Sequence, residues 1–153
     1  MPQLNAVLDS TTLVSAFLAP KGLAAQLLRY VQRGAFTLYL SQEILAETER
    51  VLLNYEHIRK RYEYPDEAVH DFVQGLRVLV RLVTDPPPVT GIVRDPNDDY
   101  VIATALAAGV SYVVTRDKDL LTLKTYQQVE MIRPEELAMM RSRVSETTCS
   151  EGV

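Results

Sequence analysis

Short β-rich apolar runs alternate with segments of helical apolar spacing along most of this chain, and that alternation constrains the fold more than any other feature. "LNAVL" at residues 4–8 reads as a buried strand, after which Leu13, Ala16 and Phe17 recur at helical spacing. A second helix fits Leu23 to Gln32 and stops at Gly34. "FTLYL" (36–40) is β-rich, and Ser41 stands where it can cap the helix "QEILAETERVLLNY". Pro65 suits the first turn of a helix reaching about Arg81. "RLVTDPPPV" reads as a strand end and a triple-proline turn. Asp95 as cap, Pro96 in the first turn and Gly109 at the stop delimit the helix in "DPNDDYVIATALAAG". "SYVVT" and "VEMI" are two further strands, and "PEELAMMRSR" is a last helix. Residues 1–142 thus form one domain, with 143–153 a polar, disordered tail. Strands separated by helices need parallel crossovers, so the expected fold is a three-layer α/β/α sandwich around a mostly parallel central sheet. In such sheets ligands bind outside the carboxyl ends of the strands.

Composition narrows the chemistry. With 153 residues, 47 % of them hydrophobic, the chain can bury one sizeable core. It has no long uncharged apolar stretch and no charged-then-apolar start, so the expected location is the cytoplasm, with no membrane partner. Cys149 is the single cysteine, and His57 and His70 lie far from it, which argues against a zinc site built on thiolate or imidazole. A net charge of −4 argues against nucleic-acid binding by bulk electrostatics. It leaves room for a local basic strip, or for a metal ion that inverts the sign of an acidic pocket.

The acids fall in telling places. Asp9 ends "AVLD", Asp117 ends "YVVTRD", and Asp95, Asp98 and Asp99 open a helix. Right-handed crossovers bring these strand ends and that helix start to one rim. Carboxylates gathered there raise one another's pKa unless a cation is present. A pocket of oxygens, without nitrogen or sulfur, suits Mg²⁺ or Mn²⁺. Each acid also has a purely structural use: Asp9 and Asp95 as helix caps, Asp98 as a partner of the helix dipole, Asp117 as a turn cap with Asp119 facing solvent. Glu47 and Glu49 flank the apolar arc of 44, 45, 48, 51 and 52 about equally, and periodicity does not choose between them.

Taken in order, "VLDSTTLVSA", "LSQEILAETERVL", "RDPNDDYVIATALAAG" and "VVTRDKDLL" resemble the successive motifs of the PIN-domain family, most closely its VapC-like toxin ribonucleases; "VEMIRPEEL" is similar to the family's final strand and helix. The likeness spans nearly all of residues 4–137. It implies a metal-dependent endoribonuclease with Asp9, Glu47, Asp98 and Asp117 around one or two Mg²⁺ or Mn²⁺ ions, and so picks Glu47 over Glu49. It further implies that Thr11, Ser15, Thr115 and Asp119 support those ligands or touch substrate, with Thr115 bonding substrate or a ligand carboxylate. Its implied partners are an RNA substrate, an antitoxin protein and a second copy of the chain.

Arg59, Lys60 and Arg61 stand beside Tyr62 and Tyr64 in "HIRKRYEYP" and form the expected RNA-contacting strip, a solvated helix end being the plainer reading. Arg94 and Arg116 flank the proposed acids and could pair with them. Two rival enzymes fit less well. A haloacid-dehalogenase-like phosphotransferase needs an Asp where Thr11 stands, and a Toprim-like nuclease would use Asp117 and Asp119 but leave Asp9 unexplained. The competitor from another class is a catalytically weakened PIN scaffold that binds RNA or protein. Its support is Thr11, which replaces the Asn common in the family and offers one donor where an amide offers two. Thr11→Asn is therefore expected to raise metal-dependent RNA cleavage or leave it unchanged; a severe loss in a folded variant would contradict this view of the position.

Overall fold

Ala6, Val7 and Leu8 of strand β1 (Asn5–Leu8) are all fully buried, so this strand is covered on both faces. The structure, a computed structural model, describes residues 4–84, 86, 91 and 96–140. From β1 the chain runs through α1 (Ser10–Leu18) and α2 (Leu23–Gln32) to β2 (Thr37–Ser41). It continues through α3 (Gln42–Asn54), α4 (Glu56–Tyr62) and α5 (Asp66–Leu79) to β3 (Arg81–Val83). Then come α6 (Pro96–Ala108), β4 (Tyr112–Val114), α7 (Lys118–Leu123), β5 (Thr125–Tyr126) and β6 (Val129–Ile132), with a last helix over 134–140.

The six strands form one sheet in the order β3-β2-β1-β4-β6-β5. Every pairing is parallel except that of β5 with β6. This is the mostly parallel α/β architecture expected from the alternation. Going from β1 to β2 to β3 the chain steps one way across the sheet, and from β3 to β4 to β6 it steps the other. With right-handed crossovers, α1 to α5 cover one face and α6 and α7 the other. The reversal falls between β1 and β4, whose carboxyl ends therefore border the crevice where such sheets bind ligands.

Local chemistry fixes the element ends. Asp9 caps α1 and Ser41 caps α3, each side chain accepting the backbone N–H three residues on. Gly34 and Gly109 follow α2 and α6 at φ +80° and +69°, a conformation that costs glycine little. The core joins Leu38 and Leu40 of β2, Ile44 and Leu45 of α3, Ile102 of α6 and Ile132 of β6. Among the described residues no single helix is long and apolar enough to cross a membrane.

The basic stretch after α3 is the helix α4, which buries no residue and so offers no apolar stripe to read. Two expectations are corrected. The turn expected at "DKDLL" is the short helix α7. The helix that follows Pro65 ends at Leu79, leaving Arg81 to begin β3. The Asp95 cap, Arg94, Cys149, the 143–153 tail and the proline turn beyond Pro86 lie outside the described residues.

The burial pattern sets a stability contrast. Leu38, 1 % exposed, should lose about 2–5 kcal/mol on replacement by alanine, whereas Val78→Ala, at a side chain 88 % exposed, should stay within about 0.5 kcal/mol of wild type. Urea unfolding of both variants checks this, and similar losses at the two positions would contradict the assigned core.

Candidate functional site

Strand register lines up one row of residues across the carboxyl rim of the sheet. Leu8 stands beside Val114, and Val114 beside Ile132. Val7 stands beside Tyr39. Two residues on from Tyr39 and from Val7 come Ser41 and Asp9; one residue past the other pairs come Thr115 and Arg133. The row therefore reads Ser41, Asp9, Thr115, Arg133. Backbone bonds carry the ladder into it: Asp9 N–H donates to Val114 O at 3.2 Å and Thr115 N–H to Ile132 O at 2.9 Å.

Asp9 is 3 % exposed, and its carboxylate is held from two sides. Oδ1 accepts the Thr12 backbone N–H at 2.9 Å and the Thr12 hydroxyl at 2.6 Å. Oδ2 accepts the Thr115 hydroxyl, reached across the β1–β4 crevice. Thr115 Oγ1 in turn accepts the Asp117 backbone N–H at 2.9 Å, so one hydroxyl links both acids. Asp117 caps α7, its Oδ1 accepting the N–H groups of Asp119 at 2.9 Å and Leu120 at 3.2 Å. Those bonds use one oxygen and leave Oδ2 outside them.

Burial pushes the Asp9 carboxyl above its ordinary pKa; the bonds from Thr115 and Thr12 oppose this, and the nearby Asp117 charge adds to it. A buried carboxylate beside another carboxylate is an arrangement that a cation relieves. The donor set is oxygen alone, and magnesium is commonly held by one or two carboxylates with water completing its shell. The pair Asp9 and Asp117 fits a hard divalent ion on these grounds.

The other expected residues occupy different positions. Among the described residues no group of three or more His, Cys, Asp and Glu side chains stands close enough to hold one metal ion. Of the four expected acids, Asp9 and Asp117 are the two linked through the Thr115 hydroxyl. Asp98, half-buried in the first turn of α6, lies six residues before Thr104, whose hydroxyl meets Ser41 Oγ at 2.9 Å. Six residues are about 9 Å of helix axis between Asp98 and that bond. Its neighbour Asp99 is buried and accepts the Gly91 N–H at 3.1 Å. Glu47 is half-buried on α3, while Glu49 turns towards α5 and lies 3.7 Å from His70. The proximity of Glu49 to His70 separates two residues that periodicity left equal.

Thr11 and Ser15 are exposed, and the hydroxyl of α1 that donates to Asp9 belongs to Thr12. The capping rule would have found Thr12, because an N-cap carboxylate takes the N–H three residues on. The Thr115 hydroxyl donates to the Asp9 carboxylate. Asp119 contributes its backbone N–H to Asp117. Arg59 is spent on the fold: it donates to Leu53 O and Tyr64 O, each at 3.0 Å, and pairs with Asp66 at 2.6 Å. Lys60 and Arg61 are exposed. Arg116 pairs with Glu135 rather than with Asp9 or Asp117.

A parallel sheet with an acidic pair at its switch point defines the class, and comparison with known proteins supplies the family. The PIN-domain model matches residues 5–119, and the chain belongs to that family, whose members are generally nucleases and typically use divalent metal ions. The fold is shared with PAE2754 from Pyrobaculum aerophilum, at 16 % identity and a TM-score of 0.63 over 92 % of this chain and 90 % of that one. It is shared too with VapBC2 from Rickettsia felis, solved bound to a DNA fragment from its promoter, at 11 % identity and a TM-score of 0.57 over 84 % and 97 %. No curated protein matches the sequence significantly.

The raised Asp9 pKa carries a stability consequence. Above the ordinary carboxylate value the unfolded chain is ionised while folded Asp9 still holds its proton, so stability falls as pH rises through the window between the two values. Metal-free protein should regain that stability on acidification into the window, and Asp9→Asn should lack this pH-dependent component. Urea unfolding in chelator at several pH values checks it; the same pH dependence in wild type and variant would contradict it. Thr115→Val, which strands the Asp117 N–H, should cost about 1–3 kcal/mol in the same assay.

Proposed function

We propose that this PIN-domain protein is a divalent-metal-dependent endoribonuclease, the toxin of a toxin–antitoxin pair. The observation that carries the reading is the link Asp9–Thr115–Asp117, two acids from separate strand ends joined through one hydroxyl. Mg²⁺ or Mn²⁺ is the proposed ion, and when bound it supplies a water of lowered pKa and charge stabilisation at the scissile phosphate. The chain's own part is to hold and orient. Asp9 is fixed by Thr12 and Thr115, so its carboxylate meets a cation without searching rotamers. Asp117 offers the oxygen that its cap bonds leave over.

Glu47 and Asp98 are proposed as further acids of the same site, on helices tied together by the bond between Ser41 and Thr104. Hydrolysis would break the bond from phosphorus to the 3′ oxygen, leaving a 3′-hydroxyl and a 5′-phosphate. The proposed partners are a cognate antitoxin and a second copy of the chain. VapBC2, whose fold this chain shares, supports the antitoxin reading. The proposed compartment is the cytoplasm.

A mixed RNA pool incubated with the protein and Mg²⁺ or Mn²⁺ tests the reading. Cleavage is expected with either ion, none is expected in chelator, and Asp117→Asn should lower the rate about 100-fold or more while still capping α7. Saturable metal binding without cleavage of any RNA would overturn the nuclease and leave a PIN scaffold that binds.

A further inference from the structure

Next to the acidic pair, on the same rim, lies a cleft of about 520 Å³ lined by Arg116, Lys118, Leu121, Arg133, Glu135 and Glu136. Its basic residues are placed by the sheet. Arg116 and Lys118 flank Asp117 in the chain, and Arg133 ends the row that begins at Ser41 and runs through Asp9 and Thr115. The lining residues of the cleft thus neighbour those of the proposed cleavage site in the chain and in the row. The two acids that line it differ in what they do. Glu136 accepts the Arg133 backbone N–H at 3.3 Å and so closes the start of the 134–140 helix. The Glu135 carboxylate accepts its own backbone N–H and is paired with the Arg116 guanidinium.

Arg133 lines the same cleft; burial acts to raise the Glu135 pKa, but the bonds from its own N–H and from Arg116, with the charges of Arg116 and then Arg133, hold it below the ordinary value. Two guanidinium groups lining one cleft, one of them paired with a carboxylate, form a seat that suits a phosphodiester, since the planar donor fork matches phosphate as well as it matches carboxylate. The Arg116 and Glu135 side chains are 55 % and 50 % exposed, and an ion pair so open to water is held weakly. An incoming phosphate can take the place of the carboxylate at small cost.

We propose that Arg116 and Arg133 hold a backbone phosphate of the RNA strand next to the cleavage site, and that Glu135 occupies this seat until RNA displaces it. The proposal deepens the ribonuclease reading and rests on it for the identity of the strand. It also moves the RNA track away from α4, where Arg59 is committed to Leu53, Tyr64 and Asp66.

The test measures binding and cleavage separately on the full chain. Fluorescence anisotropy of a labelled single-stranded RNA pool is followed in chelator across a range of salt concentrations, and cleavage of the same pool is followed with Mn²⁺. Arg116→Ala and Arg133→Ala should each weaken binding about 3- to 10-fold and flatten the salt dependence, by about 0.7 in log–log slope for each phosphate no longer neutralised. Glu135→Gln should tighten binding several-fold, whereas Glu67→Gln, the same charge change at an exposed residue on α5, should not. All four side chains are exposed, so an unchanged Tm keeps the comparison clean.

Wild-type affinity and slope in both arginine variants overturn the seat, as do equal gains from Glu135→Gln and Glu67→Gln. Absence of RNA binding by wild type at low salt overturns it as well, and so does a gain by Glu135→Gln for an acidic peptide without a gain for RNA. Binding that follows the expected pattern without Mn²⁺-dependent cleavage upholds the seat and sinks the nuclease. Cleavage with arginine variants unaltered in binding does the reverse.

Discussion

The hydroxyl of Thr115 bridges two strand ends, and the arrangement of the rim depends on that bridge. It donates to Asp9 across the crevice between β1 and β4 and accepts the Asp117 N–H at the start of α7. Without a donor at Thr115, Oδ2 of a 3 %-exposed carboxylate would lose the bond that helps to offset its burial. Register makes the bridge possible, because Leu8 beside Val114 puts the next residues of both strands shoulder to shoulder. Reversal of the chain's direction across the sheet then puts that pair at the switch point.

Most of this architecture was legible because each strand end carries its own punctuation. Asp9 and Ser41 are cap residues at the ends of apolar runs, and both cap in the structure. What escaped reading did so for physical reasons. The helix α4 buries nothing, so its sequence has no stripe, and β5 has two residues, fewer than any periodicity can register. Glu47 and Glu49 were equal on a helical wheel because a wheel knows the core direction but not the neighbours; His70 on α5 supplies one for Glu49. Thr11 drew attention through a family pattern, while Thr12, which bonds Asp9 twice, was readable from the capping rule alone.

Of the candidate acids, the two that end strands were legible as neighbours. Asp9 and Asp117 come together as two strands ending in acid on one rim would require. Asp98 belongs to a helix whose tie to the sheet, through Thr104 and Ser41, lies about a turn and a half further along. Its distance from the pair depends on where α6 is pinned, which spacing in the sequence does not encode. Arg116 faced the same ambiguity, and the answer came from Glu135, a residue nineteen positions away that only the β4–β6 pairing brings near.

An acidic pair linked through a hydroxyl, one member buried and reluctant to ionise, makes physical sense as half of a salt whose other half is a cation. Thermal unfolding of metal-stripped protein with and without Mn²⁺, for wild type and Asp9→Asn, tests that statement most directly. Wild type should gain about 2.7 kcal/mol when Mn²⁺ is present at about 100 times its dissociation constant, and Asp9→Asn should gain almost nothing at the same concentration. Equal stabilisation of both proteins, or of neither, would contradict it.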